Sequence, residues 1–181
     1  MKTMKVNLAL LMVVSLVLHS CQKQIASDDA RPVRNVGLNV KSGATQVSGL
    51  GFYAVAGECE SATESADYIV KLTGDLAGCL YAYVDDYECS PSGTYREEGR
   101  EHFVGTYNGE TGSFWTSYKF EARYEGCAES GAPLGLEIFG RCQHPIVVGS
   151  GEGVFEGVSG QVNMKDDIEA GNFPFEGHLR Y

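Results

Sequence analysis

The chain has 181 residues, with 14 basic and 24 acidic side chains and a formal net charge of −10. Nucleic-acid binding selects basic surfaces, so this composition excludes a nucleic-acid partner. An acidic protein is also repelled by anionic lipid headgroups, so any attachment to a membrane must come from something other than charge; solubility is the plain reading of the acidity.

The first element is a positive start, Lys2 and Lys5, followed by an apolar run from Val6 to Leu18 broken only by Asn7 and Ser15. The run is shorter than the roughly 20 residues that span a bilayer. It has the length and flanks of a secretory signal peptide over residues 1–20. It ends Leu18-His19-Ser20-Cys21, which resembles the lipobox of bacterial lipoproteins, with His19 an uncommon residue in it. The resemblance implies that Cys21 is lipidated on sulfur, becomes the mature N-terminus and is acylated on its amine. The competing reading is an ordinary signal followed by an incidental cysteine. Each buried methylene contributes about 0.8 kcal/mol and one acyl chain alone is marginal, so two or three chains would make a firm anchor. By analogy with Gram-negative sorting, Gln22 in place of Asp favours the outer membrane. Gln22-Lys23 with Asp28-Asp29 is similar to a surface-export tag, although a polar tether would carry the same residues.

Without Lys2 and Lys5 the mature chain has 12 basic against 24 acidic groups, a net charge of −12. Export puts Cys59, Cys79, Cys89, Cys127 and Cys142 in an oxidising compartment, where disulfides persist. Five is odd, so at most two bridges form and one thiol is left over. Spacing alone does not choose the pairs; the hairpin-sized gap favours Cys79 with Cys89. No Cys-x-x-Cys occurs, so neither a redox motif nor a zinc ribbon is supported.

Residues 21–47 read as the lipidated terminus and a polar tether, and residues 48–181 as one folded domain. Helical periodicity is absent from the domain, and alternation with period two predicts strands. In chain order these fall near 51–58 and 67–74, then at Ala77–Tyr87, which is apolar on both sides, and at Tyr95–Tyr107. A turn at Asn108–Gly112 leads to the clearest strand, Gly112–Tyr124. Its Phe114, Thr116, Tyr118, Phe120, Ala122 and Tyr124 share one face. Further strands are expected near 135–144, 153–158, 160–166 and 173–180. Eight or nine short-looped strands suggest an all-β fold, a single antiparallel barrel of about eight strands whose closure removes exposed edges.

Gly149-Ser150-Gly151-Glu152-Gly153-Val154-Phe155-Glu156-Gly157-Val158-Ser159-Gly160 resembles the corresponding segment of the allene oxide cyclase and dirigent-like barrels. Gly105–Phe114 is a shorter echo of the same hairpin style. The likeness covers Gly49–Tyr181 and implies a calycin-type barrel with a central cavity that shapes and shields a ligand. Some members of that family cyclise a reactive lipid epoxide, some guide radical coupling, and many have no known reaction. None of the cyclase's catalytic residues carries over onto this chain.

Glu97 and Glu101 share a strand face with Tyr95, Gly99, Phe103 and Tyr107. If the aromatics point inward, both carboxylates do, and they are candidates for catalytic acid and base. Alternatively the register breaks at Gly99, or Arg96, Arg100 or Arg141 pairs with the carboxylates at the surface. Cys142 and His144 alternate onto one face with Leu136, Ile138 and Gly140, where His102 or His178 would complete a metal site, although Cys142 is more simply a disulfide partner. Asp166, Asp167 and Glu169 read as a solvated acidic turn, without the ligand ladder of a calcium loop. No Ser-His-Asp arrangement, nucleophile elbow or phosphate loop is present, and neither a cofactor nor a metal is expected. The favoured reading is a lipid-anchored, non-catalytic module that binds a small apolar or amphipathic ligand. The alternatives are a cyclase or isomerase with Glu97 or Glu101 as acid or base, and a surface structural or interaction protein with a filled barrel.

Overall fold

The computed structural model describes residues 43–59 and 65–181; the signal segment, Cys21 and most of the tether lie outside the described residues. Nine strands form one antiparallel sheet: β1 (Thr45–Tyr53), β2 (Tyr68–Gly74), β3 (Leu76–Cys89), β4 (Thr94–Tyr107), β5 (Glu110–Cys127), β6 (Pro133–Pro145), β7 (Glu152–Gly153), β8 (Ser159–Lys165) and β9 (Phe173–Arg180). The order β4-β3-β2-β1-β9-β8-β6-β5 closes through a β4–β5 pairing into an eight-stranded barrel, with the two-residue β7 added to β5. Each long strand pairs with its sequence neighbours, so the barrel is an up-and-down meander.

Side chains alternate in and out along each strand. One end of the barrel is filled by apolar groups. Phe155 projects inward from the β7–β8 connection and meets Phe114 at 4.9 Å, Phe103 at 5.7 Å and Tyr107 at 6.2 Å between ring centroids. Leu76, Val47, Val158 and Leu179 complete this buried plug. The outer face of β4–β6 carries the charges, with Arg96 on Glu88 and Arg141 on Glu121, each at 3.0 Å. An apolar plug inside and charge outside is the reverse of the pattern of a membrane-spanning barrel.

Several elements differ from the sequence expectation. The strand expected at 51–58 runs instead from Thr45 to Tyr53, because Gly49 and Gly51 take inward positions beside Val47 and carry no apolar signal. The strand expected at 153–158 is only Glu152–Gly153; the chain then turns so that Phe155 can enter the barrel. The turn expected over Asn108–Gly112 is the two-residue Asn108-Gly109. Both have positive φ, 52° and 82°, the geometry of a type I′ hairpin whose twist matches the strands.

The disulfides are Cys59–Cys79 and Cys89–Cys127, with Cys142 free and buried. Pairing Cys79 with Cys89 is ruled out because both lie on β3, ten residues apart. An extended strand separates them by roughly 30 Å. The first bridge clips the β1–β2 connection onto β3, and the second joins the ends of β3 and β5 on either side of β4. Mass spectrometry of alkylated peptides should show these two bridges, with Cys142 reacting only after denaturation. Replacing either bridge by an alanine pair should cost about 3 kcal/mol, read as a shift in urea midpoint.

Candidate functional site

The end opposite the plug is an open cavity of about 250 Å³. β4 supplies its first polar groups. The two-residue alternation places Tyr95, Glu97, Gly99, Glu101 and Phe103 inward, and the pairing of β4 with β5 is unbroken through Gly99. Arg96 and Arg141 bind Glu88 and Glu121 on the outer face, and Arg100 lies over the Tyr83 and Trp115 rings. Among the described residues no ion pair joins either inward carboxylate to an arginine.

Glu97 is half-buried and accepts three phenol hydroxyls: Tyr95 at 2.6 Å, Tyr118 at 2.8 Å and Tyr68 at 3.1 Å. Gly99 makes this possible. It pairs with Tyr118, and a Cβ there would lie 2.8 Å from the Tyr118 ring, so only glycine lets the ring lie across β4 toward Glu97. Burial, followed by the hydrogen bond to Glu97, holds the Tyr95 and Tyr118 hydroxyls above their ordinary pKa. Burial and the neighbouring Tyr118 do the same for Tyr68. All three phenols therefore remain donors.

Glu101 lies deeper and is 2% exposed. It receives the Thr116 hydroxyl at 2.7 Å and contacts His144 Nδ1 at 2.5 Å. Burial alone would lower the His144 pKa, but Glu101 and the neighbouring Cys142 outweigh it and push it up to about 10. The pair is thus an imidazolium on a carboxylate. Its contribution to stability is complete below the ordinary histidine pKa of 6.5 and fades as pH rises toward 10. His144 Nε2 is buried without a hydrogen-bond partner among the described residues. Cys142 Sγ lies 4.0 Å from His144 Nδ1, and burial pushes the thiol pKa up, so it is not a preformed thiolate nucleophile.

β6 and the end of β8 supply a second acidic pair. Cys142, His144 and Gly140 face inward as the alternation predicts, but Leu136 and Ile138 are exposed. The pairing steps from Arg123↔Phe139 to Tyr124↔Glu137, so Ile138 is a bulge and Glu137 takes the inward position. Asp166, expected in a solvated turn, meets Glu137 instead. The two carboxyls converge over Gly140, where a side chain would collide with both. Burial first, and Glu137 second, raise the Asp166 pKa from 3.8 to about 7. Tyr124 hydrogen-bonds Glu137 at 3.4 Å, and burial together with Glu137 pushes its pKa up to about 12.

His102 stacks on Trp115 at 4.5 Å on the outer face, and His178 lies on the outward face of β9. Neither reaches Cys142 and His144, so the arrangement considered for a metal does not form. No group of three or more His, Cys, Asp or Glu side chains suited to a metal ion is found among the described residues. Glu137, Asp166 and the Glu101–His144 contact were not identified from sequence. One available signal was that Glu101, Thr116 and His144 each put a polar group on the inward face of consecutive strands β4, β5 and β6.

The fold and site define a small closed barrel shaped as a cup, plugged by aromatics at one end and lined by phenols and carboxylates at the other. No family model, curated protein or solved structure matches this chain.

Two consequences can be measured. Glu101→Ala leaves a buried imidazole without its counter-charge and should cost about 3–5 kcal/mol, whereas Glu101→Leu with His144→Phe should cost less than the sum of the single changes. Between pH 3.8 and about 7 the folded state holds a proton on Asp166 that the unfolded chain has lost, so this group makes stability fall as pH rises across that range. Asp166→Asn should remove this slope and raise the melting temperature at pH 8 by a few degrees in a calorimetric scan.

Proposed function

We propose that the protein is an exported barrel, anchored through lipid on Cys21 and of the allene oxide cyclase-like type, that holds a small amphipathic ligand in the mouth of its cup. The observation that carries this reading is the open cavity of about 250 Å³, lined both by apolar groups such as Val70, Phe120 and Met164 and by Glu97, Glu137 and Asp166. A concave, mostly preformed pocket with a few convergent polar groups is the usual form of a small-molecule site. The volume lies below the drug-sized range of about 300–1,000 Å³, which points to a small ligand. An open mouth also argues against a barrel packed solid for a structural role. The anchor reading rests on the Leu18-His19-Ser20-Cys21 motif, and Gln22 favours the outer membrane.

A second reading, an isomerase or cyclase, is favoured by one observation. His144 Nε2 is a buried ring nitrogen with no partner among the described residues, on an imidazolium whose Nδ1 contacts Glu101, an arrangement suited to moving a proton. In that reading Glu101 positions His144, and Glu97 acts on the ligand from the mouth.

Membrane fractionation and native mass spectrometry test the first reading together. Cys21→Ala should release the protein from the membrane fraction, and the native spectrum should show a small molecule bound to the polypeptide. Retention of the variant in membranes would count against the anchor. A bare polypeptide mass from freshly isolated protein would count against an occupied cup.

A further inference from the structure

The mouth of the cup has two aromatic walls. On one side Tyr53 of β1 meets Phe173 of β9 at 4.9 Å and Tyr68 of β2 at 6.2 Å. On the other, Tyr95 of β4 meets Tyr124 and Phe120 of β5 at 5.9 and 6.1 Å. In the strand order of the barrel, β1 and β5 stand four places apart, so the two walls face each other. The hydroxyls of Tyr68 and Tyr95 are engaged by Glu97, which leaves their rings for a ligand.

Between the walls stand the carboxylates, Glu97 on β4 and the Glu137–Asp166 pair on β6 and the end of β8. Among the described residues no Lys or Arg lines this cavity, and the one histidine that does, His144, already faces Glu101. Glu137 Oε1 is buried, and the Asp166 carboxyl beside it donates to it only while protonated; once Asp166 loses that proton, Oε1 is an acceptor without a donor among the described residues. Carboxylates pushed together at the rim of an aromatic enclosure attract positive charge, and aromatic faces stabilise cations through their quadrupole. A divalent metal fits poorly, because among the described residues no third His, Cys, Asp or Glu joins Glu137 and Asp166 as a ligand set, and rings offer such an ion nothing.

From this geometry we infer that the cup takes a small organic cation, an amine or quaternary ammonium on a compact apolar body. The charge sits between the two aromatic walls against Glu137 and Asp166, and the apolar body reaches Val70 and Met164. The inference rests on the cup reading above and names the class of its ligand.

Isothermal titration calorimetry at pH 8 and low salt tests it on the intact mature protein in a non-ionic detergent. The probes are choline and 2-phenylethylamine, each set against a neutral isostere, 3,3-dimethylbutan-1-ol and 2-phenylethanol. At least one cation should bind ten or more times tighter than its isostere. The double variant Glu137→Gln/Asp166→Asn should lose that advantage while melting no lower than the wild type. Stronger binding of choline would assign a quaternary ammonium, and stronger binding of 2-phenylethylamine a primary amine; either supports the inference. Equal or tighter binding of the neutral isosteres would overturn the cation class and leave the cup reading standing. No binding of any of the four would overturn both.

Discussion

The structure depends on one constraint. A closed barrel sends every second side chain of a strand to the interior, and on β4 that rule carries Glu97 and Glu101 inside with Tyr95 and Phe103. A buried carboxylate is costly unless it is paired or hydrogen-bonded. Glu101 takes His144 and Thr116; Glu97 takes three phenols. These partners come from β2, β4, β5 and β6, so satisfying two side chains organises half the barrel wall. The polar groups gather toward one end, and the large apolar rings, Phe103, Phe114, Phe155 and Phe175, pack away from it.

The division into plug and cup has local causes. Gly99 lets the Tyr118 ring lie across β4, and Gly140 leaves room for Glu137 and Asp166 to meet. The bulge at Ile138 turns Glu137 inward and leaves Ile138 at the surface. The Cys89–Cys127 bridge ties the ends of β3 and β5 at the open end, where Tyr95 enters the cavity wall. Strand ends that would otherwise fray are held where the site is built.

Much of the barrel was legible in the amino-acid pattern because alternation with period two survives wherever inward residues have side chains. β5 is the clear case, and its inward Phe114, Thr116, Tyr118, Phe120, Ala122 and Tyr124 stand as the alternation predicts. β1 was misplaced because glycines occupy two inward positions and erase the pattern. β7 was overextended because the aromatic Phe155 enters the barrel from a turn rather than a strand. The inward direction of Glu97 and Glu101 was readable from their own strand. Their partners were not, since Tyr68 and His144 lie 29 and 43 residues away, and only the closed topology brings them together. Glu137 was hidden by a one-residue bulge, which reverses the inside and outside of a strand without changing its composition.

The most direct test of the account is the protonation state of His144, read from side-chain ¹⁵N chemical shifts as pH is raised. An imidazolium held against Glu101 should keep both ring nitrogens protonated through pH 8 and lose a proton only near 10. If His144 instead titrates at or below the ordinary value of 6.5, Glu101 does not hold a charged partner, and this organisation of the barrel interior is wrong.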